Sequence, residues 1–203
     1  MFITFEGLDS SGKSTQIKLL EEKLISDLRQ VILIREPGGT KLSEKVREIL
    51  LDNKNSEMNS RAEFLLFASS RAQLVSEKIL PAIKNNIIVL CDRFADSSLA
   101  YQGFGRRLDK ILIEQINNFA TQNLQPDLTF FIDIPIREIT RRREIDGKAN
   151  DRMETVGEKF FERIRNGYLW LAENNKNRFN VLNGLEGVED LRSKIWKIVS
   201  SKL

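Results

Sequence analysis

Residues 1–16 read MFITFEGLDSSGKSTQ, and how this stretch divides decides the fold. Residues 2–5 are apolar strand formers, Gly7 to Ser14 is small and polar, and apolar residues at helical spacing follow from Ile17. The string GLDSSGKS satisfies G-x-x-x-x-G-K-[ST] in the strand, loop and helix setting that gives the pattern its meaning. Gly7 and Gly12 let the backbone curl so that successive amides converge on a phosphate, and the helix that follows aims its positive end at the same place. Gly7, Leu8, Asp9, Ser10, Ser11, Gly12, Lys13, Ser14 and Thr15 therefore form the expected triphosphate cradle. Lys13 is expected to reach the β- and γ-phosphates, and Ser14 to offer its hydroxyl to Mg²⁺.

Outward from this loop, short apolar runs recur at 31–34, 87–91, 128–132 and 179–182, each too continuous for a half-exposed antiparallel strand. Helical spacing fills the intervals at 13–28, 43–51, 61–83, 108–120, 136–144, 155–173 and 188–199. Strict alternation predicts a doubly wound α/β fold with a five-stranded parallel sheet between helices, and ligands beyond the carboxyl ends of the strands. Function is then expected at 7–14, 35–40, 92–107 and after Asp133. No repeat, low-complexity tract or linker divides the chain, so 1–203 reads as one domain. Apolar periodicity lapses only over residues 141–152, which read as a mobile loop.

Composition narrows the chemistry. With 32 basic and 29 acidic residues the net charge is +3, slight and scattered, which does not call for nucleic acid as a partner. No apolar run approaches the ~18 residues of a membrane span, so no membrane association is expected. The single cysteine, Cys91, cannot form an internal disulfide, and no charged and apolar leader pattern precedes the first strand, so a reducing cytoplasm is the expected compartment. The chain contains no histidine, which removes the usual general base near neutrality and any His-based triad or zinc site. Its chemistry must be carried by Lys, Arg, Asp and Glu.

Among phosphate-loop proteins, a GTPase should carry N-K-x-D, yet the nearest strings are NKNS at Asn53 and NKNR at Asn175. The third strand ends IIVLCDRF, so Asp92 is followed by Arg93 rather than by a second carboxylate. Taken together, FEGLDSSGKST, REPGGT, FASSRAQL, DRFADSSLAYQG and PDLTFFIDI, in this order, closely resemble the bacterial thymidylate kinases over essentially the whole chain. The resemblance implies a nucleoside monophosphate kinase that transfers the γ-phosphoryl group of ATP to dTMP with Mg²⁺, in dTTP biosynthesis, as a homodimer packed through helices.

It also implies roles for particular residues. Phe67 and Arg71, four apart on one predicted helix, match the pair that stacks on thymine and donates to its carbonyl. By composition alone Phe67, beside Phe64, Leu65 and Leu66, reads as core. Ser98 and Gln102, again four apart, match positions that complete recognition of the base edge, where thymine N3–H needs an acceptor; Ser98 also fits a capping role. Glu36 and Pro37, ahead of Gly38 and Gly39, flank the acceptor's sugar and phosphate in the family. Arg47 matches the arginine that grips the monophosphate, Arg93 lies near the site of transfer, and Asp9 matches a carboxylate that accepts from the 3′-hydroxyl. Tyr101 matches the ring that crowds the sugar 2′ side, or is a packed core tyrosine.

Some relatives place a catalytic arginine inside the phosphate loop, where this chain has Ser10 and Ser11. The missing cation is expected from RRREIDGKANDR, residues 141–152, where the family folds a lid over the triphosphate. Arg141 falls where relatives lay an arginine against adenine, and Arg142, Arg143 and Arg152 are the candidates for the lid cation. A kinase for another nucleotide or nucleoside and a nucleotide-binding regulator without turnover are the alternatives.

Overall fold

The computed structural model describes residues 1–146, 151–153 and 156–203. Five parallel strands, β1 Phe2–Glu6, β2 Val31–Arg35, β3 Ile88–Asp92, β4 Leu128–Asp133 and β5 Phe179–Asn183, lie in the order β2-β3-β1-β4-β5. Each expected strand is present, lengthened at its carboxyl end by one residue, and those added residues include Glu6, Arg35, Asp92 and Asp133. Strand order reverses beside β1, so the loop after β1 sits at the switch point where such sheets hold ligands. On one face, Ile3 and Phe5 pack with Ile17, Leu20 and Leu24 of α1 Lys13–Ser26 and Leu191, Ile195 and Val199 of α9 Val188–Ser200. The opposite parity of β1 turns Thr4 and Glu6 toward the other face, where both are buried.

That second face carries α2 Lys41–Leu51, α3 Ser60–Leu74, α4 Leu80–Lys84, the short α5 Ala95–Ser98, α6 Lys110–Thr121, and α8 Glu158–Asn174. The helix expected over 61–83 is broken: a π-helical turn at Val75–Ile79 joins α3 to α4, with Pro81, which lacks an N–H, in the first turn of α4. A second π-helical stretch, Leu99–Gly105, follows α5, between the strand expected over 87–91 and the helix expected over 108–120. Residues 141–144 fall both in the helix expected over 136–144 and in the mobile loop expected over 141–152, and the structure gives them to the helix, α7 Ile136–Asp146. Their helix is braced by Glu138, whose carboxylate takes bonds from both Arg141 and Arg142, pairs that apolar periodicity does not register. The lid segment at 147–150, and Thr155 as a helix start, lie outside the described residues.

Candidate active site

Gly7 and Gly12 hold the phosphate loop for different reasons. A Cβ on Gly7 would stand 2.7 Å from the carbonyl oxygen of Ile132, while Gly12 has open space but a φ of +99° as it leads into α1. Lys13 is buried and bends back over the loop, its Nζ donating to the carbonyls of Gly7 at 3.0 Å and Leu8 at 2.8 Å. Burial, together with the nearby Arg93, lowers its pKa. Arg142 ties the loop to the turn after β5, donating to Ser10 O and Gly184 O.

At the mouth of the loop stands Asp9, paired with Arg93 at 2.8 Å and 3.9 Å from Arg143. Against the cost of desolvation, the charges of Arg93 and Lys13 hold the Asp9 carboxyl well below the usual range. Arg93 follows β3 with a φ of +70°, its guanidinium 5.2 Å from the Tyr101 ring. It is supported by the hydroxyls of Tyr168 and Ser97 at 3.3 and 3.5 Å. Both hydroxyls also reach Glu6, which accepts from the Phe94 amide as well. Asp92, one residue earlier, lies 3.3 Å from the Ser14 hydroxyl through Oδ2, and its buried Oδ1 has no partner among the described residues.

Asp9 and Arg93 also line one wall of a cavity, and here the sequence expectations converge. The other walls are Glu36, Pro37 and Arg47 from the β2 end, Phe67 and Arg71 from α3, and Ser98, Tyr101 and Gln102 from the segment after β3. All ten residues expected at the acceptor therefore face one space. Arg71 is buried against Glu36 at 2.7 Å and bonds Asn117, Phe94 O and Ser98. Arg47 donates to Pro37 O at 2.9 Å. Two buried oxygens of this wall, Glu36 Oε1 and Tyr101 Oη, have no partner among the described residues.

Arg152 is placed differently from the other lid candidates. It reaches Glu63 at 2.7 Å and Leu50 O at 2.7 Å, on the acceptor side, and its neighbours Asp151 and Met153 line the cavity. Arg143 stands 3.9 Å from Asp9, with its guanidinium 4.9 Å from the Phe161 ring. Arg141 is exposed on Glu138. Sequence reasoning missed Glu6, Glu63, Asp92, Ser97 and Tyr168. Glu6 had a signal, a charge closing an otherwise apolar buried strand. Glu63 had another, since 63, 67 and 71 continue the fourfold spacing that picks out Phe67 and Arg71.

A five-stranded parallel sheet whose phosphate loop opens onto an arginine-lined cavity is the arrangement of a phosphate-loop kinase, which transfers a phosphoryl group from a nucleoside triphosphate to a small anionic acceptor. A family profile for thymidylate kinase matches residues 5–195. Thymidylate kinase of Thermosipho melanesiensis is 51% identical over 203 residues, covering 100% of this chain and 99% of its own, and that of Geotalea daltonii is 45% identical, covering 100% and 97%. A crystal structure of thymidylate kinase from Ehrlichia chaffeensis superposes with a TM-score of 0.80 at 35% identity, covering 98% of both chains. The chain belongs to the thymidylate kinase family and is a nucleoside monophosphate kinase.

Proposed function

We propose that this protein transfers the γ-phosphoryl group of ATP to a phosphate oxygen of dTMP, giving ADP and dTDP for dTTP biosynthesis. The observation that carries the reading is the single cavity in which Phe67, Arg71, Ser98 and Gln102 face Arg47, Arg93 and Asp9. Thymine lies against Phe67, with a carbonyl taking the Nη1 hydrogen of Arg71 that Asn117 does not. Tyr101 stands beside the sugar and Asp9 accepts from its 3′-hydroxyl, while Arg47 and Arg93 hold the monophosphate against the loop. No general base is needed, because a phosphate monoester is already anionic at neutral pH, which suits a chain without histidine. Rate enhancement comes from in-line placement and from charge neutralisation by Lys13, Arg93 and Arg143.

Asp92 and Ser14 fit Mg²⁺: a buried carboxylate oxygen without a partner and a hydroxyl beside it are hard donors of the kind this ion takes. Bound there, it would neutralise triphosphate charge. Arg141 meets the adenine. Exposed apolar residues at near-heptad spacing on α2, Leu42 and Ile49, and on α6, Leu112 and Phe119, support a homodimer packed through these helices. No described helix is long and apolar enough to cross a membrane, and the buried free thiol of Cys91 suits a reducing cytoplasm.

The test is coupled ADP release across nucleoside monophosphates. We expect the highest kcat/KM for dTMP and at least about tenfold less for dCMP, whose amino group replaces the carbonyl that Arg71 serves. Equal values would remove the thymine reading, and absent turnover with all of them would favour a regulatory nucleotide binder.

A further inference from the structure

Glu63 takes four side-chain hydrogen bonds beside the acceptor cavity, yet it is not among the residues that line it. It lies on α3 one turn before Phe67, fully buried, and makes four bonds to three side chains. Oε1 accepts from Gln102 Nε2 at 2.9 Å and Arg106 Nε at 3.2 Å, and Oε2 from Arg106 Nη2 at 2.9 Å and Arg152 Nη1 at 2.7 Å. Burial alone would raise its pKa, but the bonds from Arg106, Gln102 and Arg152 bring it below the usual value.

We propose that Glu63 is the positioning residue that sets thymine specificity, by fixing which end of the Gln102 amide meets the base. An ionised carboxylate can only accept. The Gln102 amide must therefore present its NH₂ to Glu63, and its carbonyl oxygen is left for the cavity that Gln102 lines. That orientation offers an acceptor to thymine N3–H and opposes cytosine, whose N3 is itself an acceptor. Through Arg152 the same carboxylate fastens residues 151–153, two of which line the cavity, so base recognition and the end of the lid share one anchor. The inference rests on the dTMP reading above and deepens it.

The test is the ratio of kcat/KM for dTMP to that for dCMP in Glu63→Gln, in Gln102→Met and in the double variant. Glutamine at 63 can donate, so the Gln102 amide is free to turn; the ratio should fall about tenfold, mainly through dTMP KM. In the Gln102→Met background the substitution should leave the ratio unchanged. Equal losses for both nucleotides, or a ratio change that persists without Gln102, would overturn the proposal. Should Glu63→Gln not fold, the wild-type protein decides. The Gln102 side-chain amide protons, assigned by NMR through their loss in Gln102→Met, should be protected from exchange with or without dTMP. Amide protons that exchange freely before dTMP is added would equally overturn it. Failure of the dTMP reading is distinguishable, because it would appear as a wild-type ratio near one.

Discussion

At the acceptor end, Arg71 and Arg152 each reach a buried carboxylate, Glu36 and Glu63, and Gln102 reaches Glu63 as well. At the donor end, Lys13 bonds the backbone carbonyls of its own loop, while Arg142 adds loop and turn carbonyls to its pair with Glu138. The contrast matters chemically. Buried charge-assisted pairs fix side chains before any substrate arrives, so the acceptor wall recognises by shape already set. Bonds to neutral carbonyls are weaker, so a cation held by them exchanges readily for an anionic phosphate oxygen. One end is organised for discrimination, the other for neutralising charge as it develops.

The harshest way to break this contrast is Lys13→Ala. The lysine's bonds are to its own loop, so the fold should survive by circular dichroism while kcat falls by ~10³-fold or more. A folded variant with near wild-type turnover would remove the phosphate-loop assignment.

The contrast sharpens between two lid arginines. Arg143 stands by Asp9 and should act chiefly on the transferring group, so Arg143→Ala should lower kcat by about 10²-fold with little change in dTMP KM. Arg152 belongs to the acceptor anchor, so Arg152→Ala should raise dTMP KM by about tenfold and leave kcat nearer to wild type. Steady-state kinetics with both substrates varied separates the two. The reverse assignment of kcat and KM effects would place the transfer cation on Arg152.

How far these positions could be read beforehand follows from the range of the forces involved. The five strands and the phosphate loop are local patterns, and period and glycine spacing expose them. Glu36, Arg71 and Gln102 were reachable because a motif match pointed to them. What the chain hid was pairing at long separation: Glu63 with Arg152 across 89 positions, Glu6 with Tyr168 across 162. Residues 141–144 drew two expectations, the end of a helix and the start of a loop; Ile139 in the core and the charge pairs on Glu138 account for the helix.

Glu6 stands where the two ends meet, and its effect falls on stability rather than on turnover. Its carboxyl is pushed up to about 7 from the ordinary 4.5, first by burial and then by Asp96. The Ser97 hydroxyl, the Arg93 charge and the Phe94 amide pull the other way. Tyr168 on α8 donates to the same carboxylate, and Lys13 and Cys91 also lie within its electrostatic reach. Between about 4.5 and 7 the folded protein keeps a proton that the unfolded chain has released. The stability from Glu6 is therefore complete below the unfolded value and is lost as pH rises through the folded one. A shift from 4.5 to about 7 corresponds to roughly 3 kcal/mol. For a chain of this size that is a fall in Tm of about 5–10 °C. Glu6→Gln, which carries no proton to lose, should flatten that part of the Tm profile while leaving its other pH dependences in place. Thermal scans from pH 4 to 8 on both proteins make the comparison, and parallel profiles would mean that Glu6 is ionised in the folded state throughout, leaving Arg93 supported by a fixed charge and not by a titrating one.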